Sequence, residues 1–213
     1  MQKHIHHRKQ YDTGLLTEEL AGTDPIRLFA RWLEQAESAG VPEPHAMTLA
    51  TNGALGPSAR IVLLRTVDPR GFTFYTNYNS RKAMDLEHDA RAALLFFWPQ
   101  IERQVRVEGV IAKVEAEESD AYFASRPRES RIGAWASDQS RPVESRDALD
   151  DRYVRWKDRF GADDVPRPAH WGGYRVHPTR IEFWQGRPDR LHDRLLFLFH
   201  AQERTWERVR LQP

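Results

Sequence analysis

The 213-residue chain contains no cysteine, which excludes disulfides, thiolate metal ligands and a cysteine nucleophile. It has no apolar run approaching the length of a membrane span and no apolar core of the signal-peptide kind at its start, so a cytoplasmic protein is expected. It has almost no net charge: the formal value is +1, and no basic aromatic stripe appears. Neither nucleic acid nor an anionic membrane is therefore an expected partner. G-x-S-x-G, a phosphate-binding Walker loop and a dinucleotide fingerprint are all missing. The nine histidines are scattered without ligand spacing, apart from His4, His6 and His7 near the start, so no metal is expected. Lysine is scarce, with five residues against 27 arginines, and arginine is the better planar partner for phosphates and carboxylates.

What is present is a succession of short strands with turn signals. Residues 1–22 read as a flexible polar tail, and residues 23–213 as one domain. Asp24 and Pro25 open a helix whose apolar face is predicted to be Ile26, Phe29, Ala30, Leu33 and Ala36, closed by Gly40. Strands follow in AMTLATN, SARIVLLRTV, GFTFYTN, AALLFFW and RQVRVEGVIAKVE. A helical insert is expected over about 116–160, after which strands return in YRVHPTRIEFWQG, RLHDRLLFLFH and TWERVRLQP. The pattern predicts a mainly β protein with flanking helices, its antiparallel sheet closed into a barrel.

Polar side chains gather at the strand ends and on the insert. In FYTNYNSRKAMDLEHD, Ser80 caps a helix whose first turn carries Arg81 and Lys82, two cations at the end that already bears positive partial charge. Either they are solvated, or an anion sits between them with the Thr76 and Ser80 hydroxyls. Arg60 and Arg65 are five apart, so a regular strand would point them to opposite faces. Gln104 and Arg106 share the face opposite Val105 and Val107. Tyr122, Arg126 and Ser130 would form one stripe if Pro127 did not interrupt their helix. Trp184 offers a flat surface, and Arg190, His192 and Arg194 are predicted to alternate along one strand.

RIVLLR, FYTNYNSRKA, IERQVRVEG, YFASRPRESRIGAWASDQS, WGGYRV, IEFWQG and RLHDR occur in an order that resembles the pyridoxamine 5′-phosphate oxidases from about Tyr11 to Pro213. The resemblance implies an FMN-binding split β-barrel working as a homodimer, with the flavin at the subunit interface. It implies oxidation of pyridoxamine 5′-phosphate or pyridoxine 5′-phosphate to pyridoxal 5′-phosphate, with O2 reduced to H2O2. By the same resemblance Arg81 and Lys82 grip the FMN phosphate. The segment Arg60, Ile61, Val62, Leu63, Leu64 and Arg65 lines the flavin with Tyr75, Thr76 and Gln104. Gln139, Ser140, Trp184 and Arg194 also touch it, some from the partner chain. Tyr122, Arg126, Ser130 and Arg65 match the substrate-phosphate cradle. Arg190, Leu191 and His192 match the part that holds the substrate ring, with Arg190 and His192 as the catalytic pair, and Arg8, Lys9, Gln10 and Tyr11 match a segment that folds over it. Arg65 replaces the family's usual lysine, which implies retained phosphate binding with altered affinity. The tail reads RKQY where RxEY is more common. Two other readings share the barrel: a flavin oxidase of phenazine biosynthesis, and a non-enzymatic flavin carrier.

Overall fold

The structure is a computed structural model that describes residues 10–12 and 14–213. The expected tail histidines His4, His6 and His7, and the candidate residues Arg8 and Lys9, lie outside the described residues. The elements in chain order are α1 (Glu18–Ala21), α2 (Pro25–Ser38), β1 (Ala46–Gly53), β2 (Gly56–Leu63), β3 (Thr66–Asp68) and β4 (Gly71–Asn77). Next come α3 (Arg81–His88), β5 (Arg91–Trp98), β6 (Arg103–Lys113), α4 (Ala116–Ser125), α5 (Arg128–Ala136) and α6 (Arg146–Phe160). The chain ends with β7 (Trp171–Gln185), a 3-10 turn at Pro188–Arg190, β8 (Asp193–His200) and β9 (Thr205–Arg210). No helix among the described residues is long and apolar enough to cross a membrane.

The strands hydrogen-bond in the order β2-β1-β5-β6-β7-β4-β3, with β8 and β9 branching from β7. Mainly β with flanking helices is therefore the observed class, but the expected closure into a barrel does not occur: the described strands form an open sheet. The long strand β7 is the reason for the branch. Its first half pairs with β4, Tyr75 opposite Gly173, and its second half pairs with β8, Phe183 opposite Leu195.

The chain forms two compact units, each discontinuous in sequence. The first takes residues up to 48, 94–108 and 178–213. Asp24 caps α2 by accepting from the Ile26 and Arg27 N–H groups at 2.9 and 3.2 Å, with Pro25 preset for the first turn. The buried face of α2 is Pro25, Leu28, Phe29, Trp32 and Ala36, rotated from the predicted one so that Ile26, Ala30 and Leu33 are only half-buried. Trp32, 4% exposed and edge-on to Phe183 at 5.2 Å, accounts for the rotation, because a tryptophan ring carries more apolar area to bury than a leucine. Order also begins before Asp24: Leu16 and Ala21 are buried, and Thr17 caps α1.

The second unit takes residues 49–93 and 109–177. Phe72, Phe74, Tyr174 and Val176 are buried along the β4–β7 pair. The three helices of the insert pack around Phe123, Ile132, Val165 and Trp171. The helix α6 follows its Ser145 cap as expected, and its Tyr153, Trp156 and Phe160 cover that cluster from outside without any residue of the helix being fully buried.

Candidate functional site

A cavity of about 500 Å³ opens in the second unit. Its walls come from β2 and the second residue beyond it (Arg60, Ile61, Val62, Leu63, Arg65), from β4 (Tyr75, Thr76, Asn77), and from Lys82, Tyr122, Arg126, Ser130, Gln139 and Trp171. The strand β2 stops at Leu63 and Leu64 turns into the core, which is why Arg60 and Arg65 line one cavity and not opposite faces of a strand. The interruption at Pro127 is real as well. Helix α4 ends at Ser125 and α5 starts at Arg128, so the single stripe that an unbroken helix would give does not form. The bend nonetheless brings Tyr122, Arg126 and Ser130 to the same cavity.

Lys82 is the anchor of one wall. It is 9% exposed, and its Nζ donates to Gln139 Oε1 at 2.7 Å, Thr76 Oγ1 at 3.1 Å and Ser80 Oγ at 3.3 Å. No carboxylate pairs with it among the described residues. Burial, with the nearby Arg60 charge, pulls its pKa down to about 8. Ser80 does not cap α3 with its side chain, since its hydroxyl donates to the Asn77 carbonyl at 2.7 Å. That frees the Ser80 oxygen to accept from Lys82. Arg81 is exposed and does not line the cavity.

Arg60 is already committed. It donates to Thr51 Oγ1 at 2.7 Å, Ser58 Oγ at 2.8 Å and the Leu49 carbonyl at 3.2 Å, and it pairs with buried Asp85 at 3.3 Å. Gly53 leaves the room for that acid, because a Cβ there would lie 2.2 Å from Asp85 Oδ1.

Arg126 is not committed. Its guanidinium lies over Trp171 at 4.6 Å, and its Nη1 is buried without a hydrogen-bond partner. Burial, then the Arg65 charge, holds its pKa below the usual arginine value, although the Tyr122 phenol acts the other way. Arg65 sits 5.9 Å from the Tyr122 ring and has no ion pair among the described residues. Tyr122 stacks on Tyr75 with centroids 3.9 Å apart, and Tyr75 lies parallel to Trp171. Burial pushes the Tyr75 phenol up to about 12, so it remains a donor at neutral pH. Gly173 makes the stack possible, and Gly172 leaves room for Tyr78 beside it. A Cβ on Gly173 would meet Tyr75 Cε1 at 2.8 Å, and one on Gly172 would meet the Tyr78 hydroxyl at 2.2 Å. Trp171 and these glycines were not among the candidate residues, although the WGG triplet carries the signal.

The remaining candidates lie elsewhere. Ser140 is exposed with a φ of +70°, next to Gln139, which does reach the cavity. In the first unit, Tyr11 meets Trp184 edge-on at 5.6 Å and His192 at 5.7 Å, and Trp184 lies 4.7 Å from His192. Gln10 is exposed, Gln104 is half-buried, and Arg190 and Leu191 are exposed. The predicted alternation of Arg190, His192 and Arg194 along a strand fails, because β8 begins only at Asp193 and Arg190 has a φ of +63°. Arg194 is bound to buried Glu182 at 2.8 Å.

The donor set of the cavity fits ligands that bear phosphate. It offers a buried ammonium held, among the described residues, only by neutral oxygens, and a guanidinium with an unused buried N–H. Stacked aromatic rings and the aliphatic Ile61–Leu63 wall suit a flat ring system.

Comparison with known proteins agrees with this chemistry. A family model described as pyridoxamine 5′-phosphate oxidase matches residues 33–160. A second, described as the pyridoxine 5′-phosphate oxidase C-terminal dimerisation region, matches residues 171–213. A curated pyridoxine/pyridoxamine 5′-phosphate oxidase of Cupriavidus pinatubonensis is 58% identical over 207 residues, 97% of each chain. The one of Rubrobacter xylanophilus is 57% identical over 208 residues, 97% of this chain and 94% of its own. Among solved structures, PhzG from Burkholderia lata in complex with tetrahydrophenazine-1-carboxylic acid is 32% identical, with a TM-score of 0.87, and covers 96% of this chain and 100% of its own. An FMN-binding protein of Nostoc punctiforme, 15% identical with a TM-score of 0.72 over 90% of this chain and 100% of its own, shares the fold.

Proposed function

Because this chain belongs to the pyridoxamine 5′-phosphate oxidase family, we propose that it is an FMN-dependent pyridoxal 5′-phosphate synthase that oxidises pyridoxamine 5′-phosphate and pyridoxine 5′-phosphate. The observation that carries the reading is one cavity with two sets of cations that have no carboxylate partner among the described residues, Lys82 on one wall and Arg65 with Arg126 on another. One cavity with two such sets suits two phosphate-bearing molecules bound side by side.

Lys82, with Thr76 and Gln139, takes the cofactor phosphate, and Arg81 adds its charge from outside the cavity wall. Arg65, Tyr122, Arg126 and Ser130 take the substrate phosphate. The segment from Arg60 to Leu64, with Tyr75, Gln104 and Ser140, belongs to the flavin side. Trp184 and Arg194 join it from the partner of a cytoplasmic homodimer, whose formation also accounts for the exposed Ile61, Phe97 and Val110 on strand faces. Gln10, Tyr11, Arg190, Leu191 and His192 hold the substrate ring.

When bound, FMN supplies the two-electron acceptor for the oxidation at C4′, and O2 takes those electrons as H2O2. The protein's own work is positioning. Two phosphate grips restrict both molecules to one relative placement. The Tyr75–Tyr122–Trp171 stack excludes water from the wall beside them. Tyr75 stays protonated as a donor throughout the neutral range.

The test is a visible spectrum of the purified protein, taken before and after anaerobic addition of pyridoxamine 5′-phosphate. A flavin band that bleaches and returns in air is expected. A band that stays, or that bleaches only with a reduced phenazine carboxylate, would sink the vitamin B6 reading in favour of a carrier or a phenazine-type oxidase. A colourless protein that takes up no added FMN would overturn the cofactor assignment.

A further inference from the structure

The loop between β7 and β8 is bent tightly. Pro188 fixes one backbone angle, and Asp189 and Arg190 both adopt left-handed conformations, with φ of 55° and 63°. Two consecutive non-glycine residues in that region are held only where surrounding contacts over-determine them. The bend brings the Arg187 backbone N–H to His192 Nδ1, to which it donates at 3.1 Å. Trp184 and Tyr11 pack against the same imidazole at 4.7 and 5.7 Å. Gly186 admits that approach, since a Cβ there would come 2.7 Å from Tyr11 Cγ.

We propose that the Arg187 amide locks His192 in the Nε2–H tautomer, and that His192 serves the bound substrate ring as a hydrogen-bond donor and not as the base that removes a proton. The proposal rests on the oxidase reading above for the identity of the ring. An imidazole base needs a lone pair on the nitrogen it presents and an acceptor for the N–H of the other. Here the polarity is reversed. A lone pair at Nε2 would put the proton on Nδ1, against the Arg187 N–H, and an imidazolium would do the same. The groups that face the ring are the Arg187 amide, the Trp184 and Tyr11 rings and the Arg190 guanidinium; among the described residues no carboxylate binds it. Burial, then the Arg190 charge, holds its pKa below the usual histidine value, which favours the same state. A donor at Nε2 suits an anionic ring oxygen, such as that of a 3-hydroxypyridine.

The experiment is a long-range proton–nitrogen correlation spectrum of the FMN-loaded protein labelled with [15N]histidine, the His192 signals being assigned by their loss in His192→Gln. A proton on Nε2 and a bare Nδ1 are expected from about pH 6 to about pH 9. A proton on Nδ1, or a cation at neutral pH, would overturn the lock. In turnover, the glutamine amide reaches the Nε2 position and the asparagine amide reaches only Nδ1, so His192→Gln should retain about tenfold more kcat/KM than His192→Asn. Equal losses, with the acidic limb of the kcat profile gone in both, would restore a base. The spectrum reads the ring itself, so inactivity toward pyridoxamine 5′-phosphate would refute the oxidase reading while the tautomer was still decided.

Discussion

The cations around β7 and β8 in the first unit and those of the cavity in the second differ in one respect: their counter-charges. Around β7 and β8, buried Glu182 accepts from Arg106 at 2.6 Å and Arg194 at 2.8 Å. Glu108 pairs with Arg106 and Arg180 at 2.9 and 3.1 Å. Arg210 bridges Glu18 and Asp193, which raises its own pKa and holds the Glu18 carboxyl down at about 2. In the cavity, Arg60 alone follows this rule, through Asp85. Lys82 is more deeply buried than any of those arginines, yet among the described residues only neutral oxygens hold it, and Arg126 keeps a buried N–H unused. Paired cations carry the fold. Unpaired ones are kept at a cost in stability and point to a ligand that supplies the missing charge.

The contrast is broken most severely at Glu182. Glu182→Gln leaves Arg194 facing a neutral amide and Arg106 with Glu108 alone, and a loss of about 1–3 kcal/mol in urea unfolding is expected. Lys82→Met should do the reverse to the FMN-free protein, with a Tm no lower than that of the parent. The same variant should weaken FMN binding by about 100-fold, as one charge-assisted phosphate contact predicts, measured by flavin fluorescence. Arg81→Ala should weaken it less, because Arg81 stands outside the cavity wall.

Arg126→Ala should raise the KM for pyridoxamine 5′-phosphate by about 10- to 100-fold and leave bound flavin near the parent level. Flavin loss without a KM effect would show that the two cation sets have been assigned the wrong way round. The pH dependence follows from Lys82. Its folded-state pKa, about 8, lies below the ordinary lysine value, so between the two the unfolded chain binds the proton and the folded protein does not. Stability of the FMN-free protein should therefore rise with pH across that window. Affinity for a phosphate should fall there, by at most about tenfold per pH unit, since the anion needs the ammonium. The smallest effect is expected at Arg65→Lys, a KM change within about tenfold that measures what the planar guanidinium adds.

Much of this was legible without coordinates. Short alternating strands, the Asp24–Pro25 and Ser145 helix starts and the clustering of Arg, Tyr and Ser at strand ends are local properties, set by side-chain period and capping chemistry. So was the family, since the motif order spans nearly the whole chain. Local pattern failed where distant residues compete. Trp32 turned α2 away from its expected face. The end of β2 at Leu63 placed Arg60 and Arg65 in one cavity, and the branching of β7 left the sheet open. The Ser80 hydroxyl turned to Asn77 instead of capping α3.

The sequence by itself determined which groups are available and roughly where each strand and helix runs, because those follow from neighbours within a few residues. Only the tertiary structure decided which cations are neutralised. Arg194, Arg60, Lys82 and Arg126 look alike in a sequence, and their fates differ because a carboxylate within about 4 Å is supplied or withheld by residues far away along the chain.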